Sequence, residues 1–143
     1  MLHGRWHAYP EIAVRQPSRG WIDVGLHDAR GQIIVATEIQ SELRRLEQLI
    51  RWSVDKAASL ASWDGWTRLS EAPQVSQLLI IRDTRTTRAV VREFRRTLQA
   101  AYPADPEDAV AALTGVDVWP GPALLWASGH PSKPRSFRIV ARR

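Results

Sequence analysis

Three polar residues on two neighbouring strand-like segments have the types and spacing of a metal site. Asp23 lies in GWIDVGLHD, and Glu38, Ile39 and Gln40 begin fifteen residues later. Side chains two residues apart on a strand share one face, so Glu38 and Gln40 project together while Ile39 points the other way. The Gly-containing turn at residues 29–32 predicts a hairpin that brings Asp23 beside Glu38.

Two carboxylates on one face of an apolar sheet need a neutralising partner. An unpaired buried carboxylate is costly, and Mg²⁺ is a hard cation that one or two carboxylates can hold together with water and phosphate oxygens. The alternative is that Asp23 and Glu38 sit at strand ends in solvent or pair with some of the many arginines. Acidic pairs at this spacing are common, so the spacing alone leaves both interpretations open.

Length and composition predict a single domain over residues 1–143. Hydrophobic residues make up 44% of the chain and charged residues 24%, which is typical of a globular protein large enough to bury a core. The chain has no cysteine, so it has neither disulfides nor thiolate metal sites. No apolar run reaches the length of a membrane span, and the N-terminus lacks a signal-peptide pattern, so we expect a cytoplasmic protein without a membrane partner.

The cationic side chains are almost all arginines. The formal charge is +5, and only Lys56 and Lys133 are lysines. Arginine suits phosphate recognition, although GC-rich coding gives the same bias. The positions predicted to contact nucleic acid are Arg19, Arg85, Arg88 and Arg92; the last three share one face of a predicted helix, and a solvated face explains them equally well.

The order of predicted elements indicates an α/β fold with a mixed central sheet flanked by helices. Strands are predicted at residues 11–15, 21–26, 33–39, 77–81, 122–127 and 136–140, with a loop at 128–134. A long amphipathic helix follows a Ser41 cap and runs to about residue 60, a second ends near residue 101, and a short one at about 106–113 follows an Asp105 cap. Trp21 and Trp52 are predicted to lie in the core.

This order of elements resembles the PD-(D/E)xK nuclease-like superfamily. The runs PEIAVRQPSRGWIDVGLHD, IIVATEIQSE and VSQLLIIRDTRTTRAVV are similar to an uncharacterised domain that is often found C-terminal to helix-turn-helix regulators of high-GC bacteria. The resemblance covers roughly residues 6–100, and only the combination of motifs is specific. It implies a restriction-endonuclease-like core at about 9–100, with a C-terminal helix and strand extension at about 104–143.

The resemblance assigns roles to individual residues. Asp23 matches the Asp of the motif, Glu38 its second acid, and Gln40 the position of the usual Lys; Glu11 matches a further acid in the family pattern. In the superfamily such acids hold Mg²⁺ or Mn²⁺, which activates a water, and the lysine positions or polarises that water. The implied catalytic residues are therefore Asp23, Glu38 and Gln40, and the implied metal ligands are Asp23, Glu38 and Glu11.

Two functions follow as hypotheses. The first is a Mg²⁺-dependent DNA phosphodiesterase that uses Gln40 in place of the lysine. The second is an inactive nuclease-fold module that binds DNA or protein in transcriptional regulation, with a helix-turn-helix protein as partner; a homodimer is left open. A small-molecule enzyme is not supported, because the sequence contains none of the motifs GxGxxG, GxxxxGK[ST], GxSxG and HExxH.

Overall fold

One mixed sheet of six strands forms the centre of the protein. The computed structural model describes residues 1–69 and 71–128, and the backbone of 138–140. The strands lie side by side in chain order, β1-β2-β3-β4-β5-β6. Their bounds are β1 His7–Val14, β2 Gly20–Asp28, β3 Ile33–Gln40, β4 Gln74–Arg82, β5 Ala123–Ser128 and β6 Arg138–Val140.

The direction of the strands changes along the sheet. Strands β1, β2 and β3 form an antiparallel meander, β3, β4 and β5 are parallel, and β6 returns antiparallel to β5. Parallel neighbours need a crossover connection, which helices provide. The helices are α1 Leu46–Ala58, α2 Arg85–Glu93, α3 Arg95–Ala101 and α4 Pro106–Thr114. The predicted α/β fold, a mixed sheet flanked by helices, is confirmed.

The helices divide between the two faces of the sheet. Helix α4 packs its buried Ala109, Ala112 and Leu113 on the face that carries Val35, Leu78 and Leu125. Helices α1 and α3 cover the other face, where Ile34, Ala36, Leu79 and Ile81 lie. Strands β3 and β4 are therefore apolar on both sides, which explains their continuous runs of Ile, Val and Leu.

Two helix boundaries differ from the prediction. Ser41 does not cap α1: the chain bends through residues 41–45 and the helix begins at Leu46, after Arg45 in a left-handed conformation with φ 50°. The second predicted helix is interrupted at Phe94, where φ and ψ of −102° and 27° separate α2 from α3. Helix α4 begins as predicted, because the Asp105 carboxylate accepts the Glu107 N–H at 2.8 Å.

The prediction that Trp21 and Trp52 lie in the core is wrong. They are 63% and 53% exposed, respectively. Helix α1 turns the small side chains of Ser53 and Ala57 toward the sheet, so Trp52 is left on its outer side. The buried tryptophans are instead Trp6, Trp119 and Trp126, and the Trp119 Nε1–H donates to Ser76 Oγ at 2.8 Å.

The strand ends also shift from their predicted positions. Strand β1 begins at His7, four residues before the predicted strand, and β4 begins at Gln74, three residues before the predicted one. The predicted loop at 128–134 lies outside the described residues from position 129 onward. None of the helices in the described part of the chain combines the length and the apolar character needed to cross a membrane.

Candidate active site at the carboxyl end of β3

Asp23 lies where β2 separates from β3. The register between these strands ends at the pair Val24 and Thr37. One step further along, Asp23 Oδ2 accepts the backbone N–H of Ile39 at 2.8 Å. The carboxylate takes the place of a strand carbonyl, and because Ile39 follows Glu38 directly, this bond fixes Asp23 beside Glu38. The predicted juxtaposition of the two acids is present in the structure.

Glu38 is buried on the sheet face that α1 covers. It is opposite Leu79 of β4, whose side chain belongs to the core cluster on this face, and only 5% of the residue is exposed. A buried carboxylate needs a partner. That partner is Lys56 of α1, whose Nζ lies 2.6 Å from Glu38 Oε1.

The position of Lys56 is fixed at a second point. Its Nζ also donates to the backbone carbonyl of Trp21 at 2.8 Å. The aliphatic stem passes over Gly20, where an added Cβ would lie 3.0 Å from Lys56 Cδ. Glycine at position 20 therefore leaves room for the lysine to reach the acids from the helix.

The electrostatics of Glu38 show two opposing effects. Burial raises the pKa of Glu38 above its ordinary value, and the charge of Asp23 raises it further. The hydrogen bond and charge of Lys56 lower this pKa, but not enough to cancel the effect of burial. The carboxylate thus lies in an environment where an additional cation is favourable.

A tyrosine and a serine complete the surroundings of Glu38. Tyr102, at the end of α3, is buried, and burial raises the pKa of its phenol; a hydrogen bond with Ser53 lowers this pKa and the charge of Glu38 raises it. Ser53 lies on α1 and donates to the carbonyl of Leu49 at 2.9 Å. The phenol of Tyr102 therefore faces the same polar region as Glu38.

The donor set fits Mg²⁺ or Mn²⁺ rather than a closed zinc site. Asp23 Oδ2 accepts the Ile39 N–H and Glu38 Oε1 pairs with Lys56 Nζ, and the two carboxylates that would hold an ion lie against each other. Two carboxylate oxygens are what Mg²⁺ requires when water and phosphate supply its other ligands. Over the described residues, no three His, Cys, Asp or Glu side chains come together as a metal-binding group.

Glu11 and Gln40 occupy different surroundings. Glu11 is exposed, has a φ of 52°, and stands outside the β1–β2 register, which passes from Pro10 to Ile12. It is not brought into a group with Asp23 and Glu38. Gln40 is half-buried, two residues after Glu38 on the same face of β3 and opposite Ile81.

The predicted nucleic-acid contacts are spread over two regions. Arg19 is exposed in the turn between β1 and β2. Arg85, Arg88 and Arg92 are exposed on α2, and Arg88 Nε pairs with Asp83 Oδ1 at 2.9 Å. Three of the four arginines thus lie on one helix that follows the carboxyl end of β4.

Lys56 is the site residue that the sequence analysis missed. The available signal was its rarity, since it is one of two lysines among 20 cationic side chains. Neither its distance along the chain from Glu38 nor its place within a helical pattern pointed to the acids. Only the packing of α1 on β3 brings the ammonium to the carboxylate.

Comparisons of the chain with family models, with curated proteins and with solved structures gave no match.

Proposed function

We propose that this chain is a nuclease-like domain that cleaves DNA phosphodiester bonds with Mg²⁺ or Mn²⁺. The observation that carries the proposal is the position of Lys56, with Nζ 2.6 Å from Glu38 Oε1. Asp23, Glu38 and Lys56 together provide the two carboxylates and one ammonium that the resemblance to PD-(D/E)xK nucleases implies. The lysine comes from α1 instead of from residue 40.

The topology supports this proposal. An antiparallel meander places the first acid on β2 and the second on β3, and α1 then crosses to β4, which is parallel to β3. This is the order of elements on which the resemblance to a restriction-endonuclease-like core rests. Since one fold can serve several functions, cleavage is inferred from the residues of the site itself.

Each residue of the site has a separate role in the proposed cleavage reaction. Asp23 and Glu38 would hold the ion, which would supply Lewis-acid stabilisation of charge on the phosphate and an acidified water. Lys56 would orient the attacking water and offset negative charge on the phosphate. Gln40, on the same strand face as Glu38, would hydrogen-bond to that water.

DNA is the proposed substrate because the surface beyond the site is cationic. Arg85, Arg88 and Arg92 on α2, and Arg19 in the β1–β2 turn, would contact backbone phosphates. The formal charge of +5 also favours binding to the negatively charged DNA backbone. A cytoplasmic location, a helix-turn-helix partner and a homodimer belong to this proposal as expectations.

The test is cleavage of plasmid and single-stranded DNA in the presence of Mg²⁺ or Mn²⁺. Asp23→Asn, Glu38→Gln and Lys56→Gln should each lower the rate by about 100-fold or more, as removal of a group that stabilises transition-state charge does. The matched controls are Asp64→Asn and Arg51→Gln, both exposed and outside the site, which should stay within about twofold. Equal rates for site variants and controls would show that the site does not cut.

The second candidate function is a DNA-binding module that no longer cuts. The observation in its favour is that Lys56 and the Ile39 N–H already satisfy one oxygen of each acid. This function predicts DNA binding with a steep salt dependence, unchanged by Asp23→Asn and without cleavage. Metal-dependent cleavage by the wild type excludes it.

A further inference from the structure

A groove of about 670 Å³ opens on the α1 and α3 face of the sheet, between α2–α3 and β5. Its floor is apolar and includes Leu98, Leu124 and Trp126. Arg88, Arg92 and Arg95 line its rim. A concave site of this size with an apolar floor and a few charged groups has the dimensions of a small organic ligand.

The groove and the candidate active site share one face of the sheet. The strand register aligns Glu38, Leu79 and Leu124 in one row and Gln40, Ile81 and Trp126 in the next. Leu124 and Trp126 are therefore two strands away from the site, about 10 Å at the usual spacing of strands. Tyr102 lines the groove, and the negative charge of Glu38 contributes to raising the pKa of its phenol.

The charges of the groove select an anion. Arg92 and Arg95 are exposed, and Arg88 is oriented by its pair with Asp83. The acidic side chain in the lining is Asp105, which accepts the Glu107 N–H at the start of α4. Three guanidinium groups around an apolar floor match a ligand with a flat apolar body and an anionic group, because arginine binds phosphate in a bidentate manner and stacks on planar groups.

We propose that this groove binds one nucleotide unit of the nucleic-acid substrate. The base lies over the half-buried Leu124, and the phosphate pairs with Arg92 and Arg95. The choice of a nucleotide among anionic ligands rests on the proposed function, because the groove adjoins a candidate phosphodiester-cleaving site. Arg92 of α2 and Arg95 of α3 thus bind a nucleotide in a defined groove.

Isothermal titration calorimetry of the full chain with adenosine 5′-monophosphate tests the groove directly. The double variant Arg92→Gln, Arg95→Gln should weaken binding by about tenfold or more, because charge-assisted hydrogen bonds to the phosphate are lost. The control is Arg51→Gln, Arg96→Gln, which removes the same charge from exposed positions of α1 and α3 outside the groove and should change binding by about twofold or less. Gln99→Trp, at an exposed position of the lining, should also weaken binding by filling the groove.

Partial ligands separate a nucleotide site from a general anion site. Adenosine and inorganic phosphate should each bind at least about tenfold more weakly than the monophosphate, because each lacks half of the contacts. The proposal is overturned if inorganic phosphate binds as tightly as the nucleotide, if both double variants weaken binding equally, or if a polyglutamate peptide binds at the groove and the nucleotide does not.

The groove and the cleavage activity can fail separately. Asp23→Asn should retain nucleotide binding, because Asp23 lies outside the groove. Nucleotide binding that depends on Arg92 and Arg95 in a protein without cleavage would support the groove and refute the nuclease. Cleavage that depends on Asp23 in a protein that does not bind the monophosphate would refute the groove and retain the nuclease.

Discussion

Among the described residues, Glu38 and Asp28 are buried acids on opposite faces of the sheet, and each is paired with a cation. On the α1 face, Glu38 and Lys56 have side chains that are 7% and 19% exposed and atoms 2.6 Å apart. On the α4 face, Asp28 and Arg5 are 4% and 17% exposed and 3.2 Å apart. By burial alone, the two pairs would be taken as equivalent.

Their neighbours differ. Arg5 also donates to the carbonyls of Ala112 and Asp117, and its guanidinium lies 5.0 Å from the centre of the Trp6 ring, so this pair connects the N-terminal segment to α4 and the segment after it. The Glu38 pair has a second carboxylate beside it, that of Asp23. Both cations also donate to backbone carbonyls, since Lys56 Nζ holds that of Trp21. What distinguishes the Glu38 pair is the additional acid, which has charge to offer to a ligand.

The largest predicted effect is on the stability that the Arg5 pair provides. Arg5→Met should lower the free energy of unfolding by about 3 kcal/mol, because it leaves Asp28 buried without its cation. The Ala112 carbonyl keeps the Trp6 Nε1–H as a donor. Lys56→Met should cost less, since Glu38 has a raised pKa and can take up a proton. Urea unfolding of both variants measures the difference. A larger loss of unfolding free energy for Lys56→Met than for Arg5→Met would contradict the assignment of the Arg5 pair as the structural one.

The second prediction moves the lysine back to the strand. When Gln40→Lys is added to Lys56→Gln, the cleavage rate should rise by about tenfold, which corresponds to about 1.4 kcal/mol of activation free energy. The reason is that the side chain of residue 40 lies on the same strand face as Glu38. The measurement is the cleavage rate of the double variant against Lys56→Gln alone. An inactive wild type that gains activity from Gln40→Lys alone would instead mean that Lys56 is a structural partner only.

The third prediction concerns metal binding to the folded protein. Mn²⁺ at about five times its dissociation constant should stabilise the wild type by about 1 kcal/mol through binding linkage. Asp23→Asn should lose this shift, while Asp28→Asn, in the structural pair, should keep it. Thermal unfolding with and without the ion gives the result, and a shift that persists in Asp23→Asn would place the ion elsewhere.

The smallest predicted effect is a pH dependence of stability. The folded protein holds the Glu38 proton more tightly than the unfolded chain, because burial raises the pKa of Glu38 above its ordinary value of 4.5. The free energy of unfolding should therefore fall as pH rises from 4.5 through the folded-state pKa. Glu38→Gln should lack this fall, and Glu42→Gln, at an exposed acid, should keep it; unfolding curves at several pH values test the difference.

Local patterns predicted much of the fold. Alternating and continuous apolar runs located the strands, and the bounds of β3 differ from the prediction by a single residue. Asp105 was correctly predicted to cap α4, since that cap depends on neighbours in sequence. The break at Phe94 and the exposed position of Trp52 could not be predicted, because the packing of α1, α2 and α3 on the sheet decides both.

The sequence by itself determined the α/β class and placed Asp23 and Glu38 on adjoining strands, because strand periodicity and a short hairpin turn are local properties. It did not determine which cation meets these acids. Only the tertiary structure decided that Lys56 reaches Glu38 from α1 and that the arginines of α2 border a groove on the same face. These contacts join residues that are distant in the chain, and the crossover packing of helices on a parallel sheet creates them.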